Sequence, residues 1–237
     1  MHRGARFVLG LTALAVVVST ALVAPAHAAK GQWSIGGNFG TGLFSNTKIN
    51  DYLDSVSTAD SFVPKLKHPK SGWEYGGSIR YGISPKASLD YELNLMVGKG
   101  KTDVTSPGTG TVEVKTTGLA APLSLYYELG KSDKSVINFF VGVGPMLGTK
   151  FKVTTTSGGT TTVDEAKKKT GLYAHAGLEG DYMLSKSFAI TARALGRYAK
   201  AKNVTWTDPT DPSNVIVKDV NLSGGAFSLG LRAFFGK

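Results

Sequence analysis

From residue 29 onward the chain alternates apolar and polar side chains at a period of two, and almost nothing in it repeats at helical spacing. Leu89, Tyr91, Leu93, Leu95 and Val97 interleave with Ser88, Asp90, Glu92, Asn94 and Met96. Successive side chains of an extended chain point to opposite faces, so this segment is a strand with one apolar face and one charged face. Trp73, Tyr75, Gly77, Ile79, Tyr81 and Ile83 stand opposite Glu74, Gly76, Ser78, Arg80 and Gly82 in the same way. Phe188, Ile190, Ala192, Ala194 and Tyr198 oppose Ala189, Thr191, Arg193, Leu195 and Arg197, and Phe227, Leu229, Leu231, Ala233 and Phe235 oppose Ser228, Gly230, Arg232 and Phe234. Weaker alternation over Gln32–Leu43, Val114–Leu129, Val136–Phe151 and Thr170–Leu184 brings the predicted strands to eight. Each is longer than the roughly 9 to 11 tilted residues that cross a bilayer, and an even count suits a closed single-chain barrel.

The connections alternate in length. Ser84-Pro85-Lys86, Gly130 to Ser135 and Ser185-Lys186-Ser187 are tight turns, whereas Phe44 to Ser71, Gly98 to Glu113, Lys152 to Lys169 and Ala201 to Asn221 are long. Short turns at one end and long loops at the other predict an up-and-down antiparallel barrel with the asymmetry of membrane barrels. The turns also predict a register. With Ser84-Pro85-Lys86 as a three-residue turn, Arg80 falls opposite Asp90, and with Ser185-Lys186-Ser187 as its equivalent, Glu179 faces Arg193. Pro122 and Pro145 fall inside predicted strands, where a missing N–H leaves a ladder bond unmade, so a bulge or a local break is expected at each.

The first residues determine which solvent those apolar faces meet. Arg3 and Arg6 give a basic start, Phe7 to Val23 is apolar apart from small residues, and Ala26-His27-Ala28 offers small residues where a signal peptidase reads. The expectation is a leader over residues 1–28, cleaved after Ala28, and one domain over 29–237; the alternative is an uncleaved anchor. A soluble lipocalin-like barrel would turn its apolar faces inward around a ligand. Export combined with wide aromatic apolar faces favours lipid outside and charge inside. The predicted place is a bacterial outer membrane, with several crossings, long loops extracellular and both termini periplasmic.

The chain has no Cys, which excludes disulfide scaffolds, thiolate metal sites and cysteine nucleophiles. No P-loop, dinucleotide fingerprint, metal-ligand cluster or nucleic-acid motif is present, so no cofactor and no nucleic-acid partner is expected. The inward positions carry Glu74, Arg80, Asp90, Glu92, Glu128, Glu179, Asp181, Arg193, Arg197 and Arg232. Side chains fill an eight-stranded barrel, so these ten should form an ion-pair network without a continuous pore. A narrow channel gated by rearranging the pairs is the alternative. The formal net charge is +10, and removal of the leader with its two arginines leaves +8. Lys150, Lys152, Lys167, Lys168 and Lys169 cluster in the third long connection as a candidate anion-binding loop for lipopolysaccharide phosphates or anionic polymers; the plainer reading is a solvated loop. In the same stretch, Thr154 to Thr162 reads as a hairpin extension with a Ser157-Gly158-Gly159 tip.

Taken together, the mature chain resembles the small eight-stranded outer-membrane barrels of the OmpA/OmpX type, including the opacity-like surface proteins. In the last strand, Ser228, Gly230, Ala233 and Phe235 stand at the spacing of that family's assembly signal. The resemblance implies an all-β transmembrane barrel, delivery to the barrel-assembly machinery through the C-terminal strand, a monomer, and a structural or surface-contact role. Similar barrels that act on lipid A combine histidine with serine, in one family two residues apart on an outward strand face. His175 has Tyr173 and Gly177 at those offsets and points inward, and His68 lies in the first long connection. Both are expected to be packed or solvated, and no enzyme is expected.

Overall fold

The computed structural model describes residues 30–47, 49–51, 53–54, 67–104, 110–166, 169–207 and 215–235. The predicted leader and its cleavage position lie outside them, as do Lys167 and Lys168. The strands are β1 (Trp33–Leu43), β2 (Ser71–Gly82), β3 (Ala87–Val104), β4 (Gly110–Ala120), β5 (Leu123–Lys131), β6 (Ser135–Ser157), β7 (Thr160–Glu165), β8 (Lys169–Met183), β9 (Phe188–Thr207), β10 (Val215–Asn221) and β11 (Gly224–Phe235).

Eight crossings close a ring. Antiparallel pairing runs from β1 through β2 and β3 to β4 and β5, then β6, β8, β9 and β11, and β11 pairs back onto β1 from Trp33↔Phe235 to Gly42↔Ala226. Closure leaves the ring without a free edge. Both predicted turns hold their register, with Arg80 opposite Asp90 and Glu179 opposite Arg193. Alternation decides the faces. Trp73, Tyr75, Ile79 and Tyr81 are exposed outside, while Ser78 and Arg80 between them are buried inside.

The two prolines act differently. Ala121 and Pro122 interrupt the fourth crossing and divide it into β4 and β5, yet the pairing continues in step across the gap, from Asn94↔Ala120 to Tyr91↔Leu123. Pro122 removes one donor without shifting the ladder, and its carbonyl still accepts from the Glu92 N–H at 3.0 Å. Pro145 stays inside β6 opposite Leu172, and its carbonyl accepts from the Ala121 N–H at 3.0 Å. The register slips just after it, between Leu119↔Gly148 and Ala120↔Met146, which marks a bulge at Leu147.

The long connections are shorter than the alternation suggests, because strand structure runs on into them. β3 extends to Val104, β6 to Ser157 and β9 to Thr207. β7 folds back on β6 through Gly158 and Gly159, whose φ values of 56° and 82° are the positive pair that a two-residue hairpin turn needs. Among the described residues, β10 pairs with β9 alone. Threonine and valine favour strand whether or not lipid covers them, so propensity carried these segments past the belt.

The interior is packed in layers. At the short-turn end, Met183, Ala189 and Phe234 form a small apolar floor. Charged side chains fill the middle. At the long-loop end, a second apolar cluster joins Met96, Val114, Met146, Phe151, Tyr173 and Leu222 from the wall to Phe44, Ile49 and Leu53 from the first connection. A helical turn there begins with the Asn50 N–H donating to the Asn46 carbonyl at 2.8 Å, and Ile49 and Leu53 are almost fully buried. The connection is tied down on both sides. Phe44 N–H donates to the Lys70 carbonyl at 2.7 Å, Ser45 N–H to Ser223 at 2.9 Å and Asn46 N–H to Asn221 at 2.8 Å.

Candidate functional site

The middle layer gathers charges from β2, β3, β8, β9 and β11. Arg80 Nε donates to Asp90 Oδ2 at 2.9 Å, and its Nη2 lies 2.8 Å from both Asp90 Oδ2 and Glu179 Oε1. Its guanidinium covers the Tyr126 ring at 3.5 Å. Arg193 donates to Glu92 Oε2 at 3.0 Å and approaches Glu179 at 3.5 Å. Arg232 sits 3.5 Å from Glu179 and 3.6 Å from Asp90, and Asp181 lies at the margin, 3.9 Å from Arg80. Glu179 is thus approached by three guanidiniums, yet neither of its oxygens receives a well-directed hydrogen bond. Its attraction is coulombic rather than bidentate.

Arg197 and Glu74 form a separate pair nearer the long-loop end, where Arg197 also donates to the Leu222 carbonyl at 2.8 Å and stands over the Phe44 ring at 5.0 Å. Glu128, expected among the ten, is not in the network. The register of β5 on β6 slips between Glu128 and Gly130, and the side chain is left half-exposed at the short-turn rim. There it borders a space of about 20 Å³ shared with Arg80, Asn138 and Asp181, room for about one water.

His175 belongs to a constellation that sequence offsets do not reveal. Its Nε2 is 2.8 Å from Ser124 Oγ, its Nδ1 is 3.2 Å from Tyr173 Oη, and Ser124 donates to Glu92 Oε1 at 2.8 Å. Because the serine proton is committed to Glu92, Nε2–H must donate to Ser124, which leaves Nδ1 to accept from Tyr173. Every polar side-chain atom of this Glu92–Ser124–His175–Tyr173 relay has a partner, and the ring nitrogen facing the serine is a donor rather than a base. Gly142 makes the contact possible. It lies between the two residues in the ladder, opposite Ser124 on β5 and His175 on β8, and a Cβ there would run into both Ser124 Oγ and His175 Nε2. Gly142→Ala should cost about 1–3 kcal/mol by overpacking, read as a lower midpoint for loss of the heat-resistant folded form. Gly130→Ala, whose Cβ meets nothing within 4 Å, should leave that midpoint unchanged. Equal midpoints for the two variants would show that the wall yields at residue 142.

The lysines read as a loop site lie mostly on strands. Lys150 and Lys152 are on the outward face of β6, with Lys150 paired to Glu165, and Lys169 opens β8. β6 runs on to Ser157 and so carries both Lys150 and Lys152. Lys99 and Lys115, which the alternation does not single out, share that face. Lys99 is opposite Lys115, and Lys115 is opposite Lys152. His68 Nε2–H donates to Asp54 Oδ1 at 3.0 Å within the first connection. Among the described residues no three metal-ligating side chains converge.

The closed ring, outward aromatics and buried charge are the features of a membrane barrel, and the family comparison agrees with them. The model of the outer membrane protein beta-barrel domain matches residues 11–235. The chain belongs to that family. This outer membrane beta-barrel is similar in fold to OprG from Pseudomonas aeruginosa, at 16% identity and a TM-score of 0.52 over 90% of this chain and 99% of that one. It also aligns with the attachment invasion locus protein Ail of Yersinia pestis, solved with the heparin analogue sucrose octasulfate, at 15% identity and a TM-score of 0.43 over 87% and 99% of the two chains. The solid-state NMR structure of AlkL in lipid bilayers matches at 18% identity and a TM-score of 0.47, covering 90% of this chain and 94% of that one. No curated protein sequence matches the chain significantly. The barrel therefore belongs in a bacterial outer membrane, and its exposed belt of Trp, Tyr, Phe, Leu and Ile faces lipid.

Proposed function

We propose that this barrel is a closed, non-conducting membrane anchor that presents a basic surface at its long-loop end to lipopolysaccharide or to anionic polymers of another cell. The long loops face outward from the cell and the termini face the periplasm, as the difference in connection length suggests. The monomer reaches the membrane through the assembly machinery, with β11 as the segment offered for recognition. The observation that carries the reading is the layered interior. An apolar floor, an ion network and an apolar cap follow one another along the axis, and the space beside Arg80 and Asp181 is only about 20 Å³. A conducting path needs a continuous wet lumen, and each layer interrupts one. The hydrogen-bond direction at Ser124 and His175 likewise supports a structural role, because a serine that gives its proton to Glu92 is not a nucleophile awaiting a base.

Planar-bilayer recording tests the reading. The expected result is a flat baseline after insertion is verified by the heat-modifiable gel shift. Stable current steps of one size would establish the channel instead. Acyl release or transfer on lipid A by the purified protein would establish an enzyme.

A further inference from the structure

One arrangement is explained by neither the interior nor the loops, a row of lysines on the outer wall. Lys99, Lys115 and Lys152 are consecutive partners across β3, β4 and β6, so their side chains leave the same outward face about 4.8 Å apart from strand to strand. Like charges directly opposite one another destabilise a sheet. Compensation within the protein is thin. Glu113 reaches Lys99 only at 3.9 Å, Glu165 stands opposite Lys152 in the ladder but pairs with Lys150, and among the described residues no acid lies within salt-bridge distance of Lys115 or Lys152. With Lys101 and Asp103 next along the same face of β3, five lysines stand against three carboxylates among the described residues of this patch.

Its height on the wall is informative. On β3 the lipid-facing run Leu89, Tyr91, Leu93, Leu95 and Val97 ends two residues before Lys99, and on β6 Lys150 and Lys152 begin directly after Leu147 and its bulge. The lysines therefore start where hydrocarbon contact stops. Toward the short turns, from β5 and β6 round to β8 and β9, the wall carries an open apolar depression of about 580 Å³. Ala174 and Ala176 floor it, and Leu123, Leu125, Val143 and Tyr198 wall it. Cations above an apolar trough complement an amphiphile with anionic head and long chains.

We infer that the row binds the phosphates of lipid A, the phosphorylated and multiply acylated sugar of the outer leaflet, with an acyl chain lying in the depression. The inference rests on the outward orientation of the long-loop end proposed above, and it does not require the loops to touch another cell. Lipid A suits the site better than a phospholipid because it brings more than one phosphate to a row of three cations, at the interface where each lysine adds to binding of an anionic surface.

The test uses the refolded full barrel in detergent micelles, with retained lipid read by native mass spectrometry. Probes are bisphosphorylated lipid A, its dephosphorylated form and phosphatidylglycerol. Wild type is expected to retain bisphosphorylated lipid A, and Lys115→Gln with Lys152→Gln to lower that retention by about tenfold. Ala176→Phe, which fills the depression, should weaken retention while leaving the lysines intact. Because Lys→Gln removes repulsion, the double variant should keep its heat-modifiable shift. Equal retention of the dephosphorylated lipid, equal retention of phosphatidylglycerol, or an unaffected double variant would each overturn the site. A double variant that loses lipid A but still binds a soluble anionic polysaccharide supports the site and leaves the loop reading standing. One that keeps lipid A while wild type binds no polysaccharide overturns both.

Discussion

Replacing Arg80 with leucine should destabilise the folded barrel by about 3–5 kcal/mol. The guanidinium is 2.8 Å from Asp90 and from Glu179, and both carboxylates are fully buried. Their other cationic neighbours stand off at 3.5 Å or more, so no guanidinium moves into hydrogen-bond range without repacking. Leucine also abandons the face of Tyr126, which the guanidinium covers at 3.5 Å. The loss is that of stranding charge away from water rather than of the pair's own attraction. Arg80→Leu combined with Asp90→Leu should therefore recover part of the stability, a coupling that a double-mutant cycle measures. Urea unfolding in lipid vesicles, followed by tryptophan fluorescence, gives the midpoints. An unchanged midpoint for Arg80→Leu would mean that water reaches the network and that the interior is not sealed.

Leu53→Asp should release the cap at the long-loop end while leaving the ring folded. Leu53 is 1% exposed and Ile49 beside it 0%, both packed into the apolar cluster with Phe44 and Leu222. Truncating a buried leucine to alanine costs about 2–5 kcal/mol, and an unpaired carboxylate in the same place costs more. The cap's connection has another outcome open to it that a wall strand lacks, since it can leave the mouth without breaking the ladder of the ring. Protease should then cut the first connection rapidly, while the gel shift of the barrel is retained. Planar-bilayer current should remain absent, because the Arg80, Arg193 and Arg232 layer still fills the bore. Conductance in this variant would place the whole seal in the cap.

Much of this architecture is legible in the residues alone, and the reasons are physical. Alternation reports a wall between lipid and a filled lumen, and a three-residue turn leaves only one register, so the placement of Arg80 opposite Asp90 needs nothing but counting. Counting gives the face but not the height, and Glu128 is the case in point, since it keeps its inward register opposite Asn138 yet stands at the short-turn end, below the charged layer. Ser124 and His175 are 51 residues apart and meet only because Gly142 on the strand between them has no side chain. Once the register of β5, β6 and β8 is known, that glycine is the visible signal. The lysine row is hidden for a related reason. Lys99, Lys115 and Lys152 become neighbours only when strand structure is carried through segments that read as loops. The apolar cap is beyond sequence pattern altogether, because a helical turn of two buried residues has too few positions to show a period.

The interior network also bears on how the molecule comes to exist. Arg193 reaches Glu92 across 101 residues, and Arg232 reaches Ser34 across 198, so neither bond is available to a partly assembled sheet. Until β11 zips onto β1, the charged face of every wall strand has to be hydrated, and the last step of ring closure is the one that dries it. Contacts of such sequence separation make for slow folding, with the loop-closure entropy met before the pairs return anything. The same arginines that seal the finished lumen therefore find their partners only late in its assembly. A curled but unzipped sheet holds water, and only the completed cylinder can expel it.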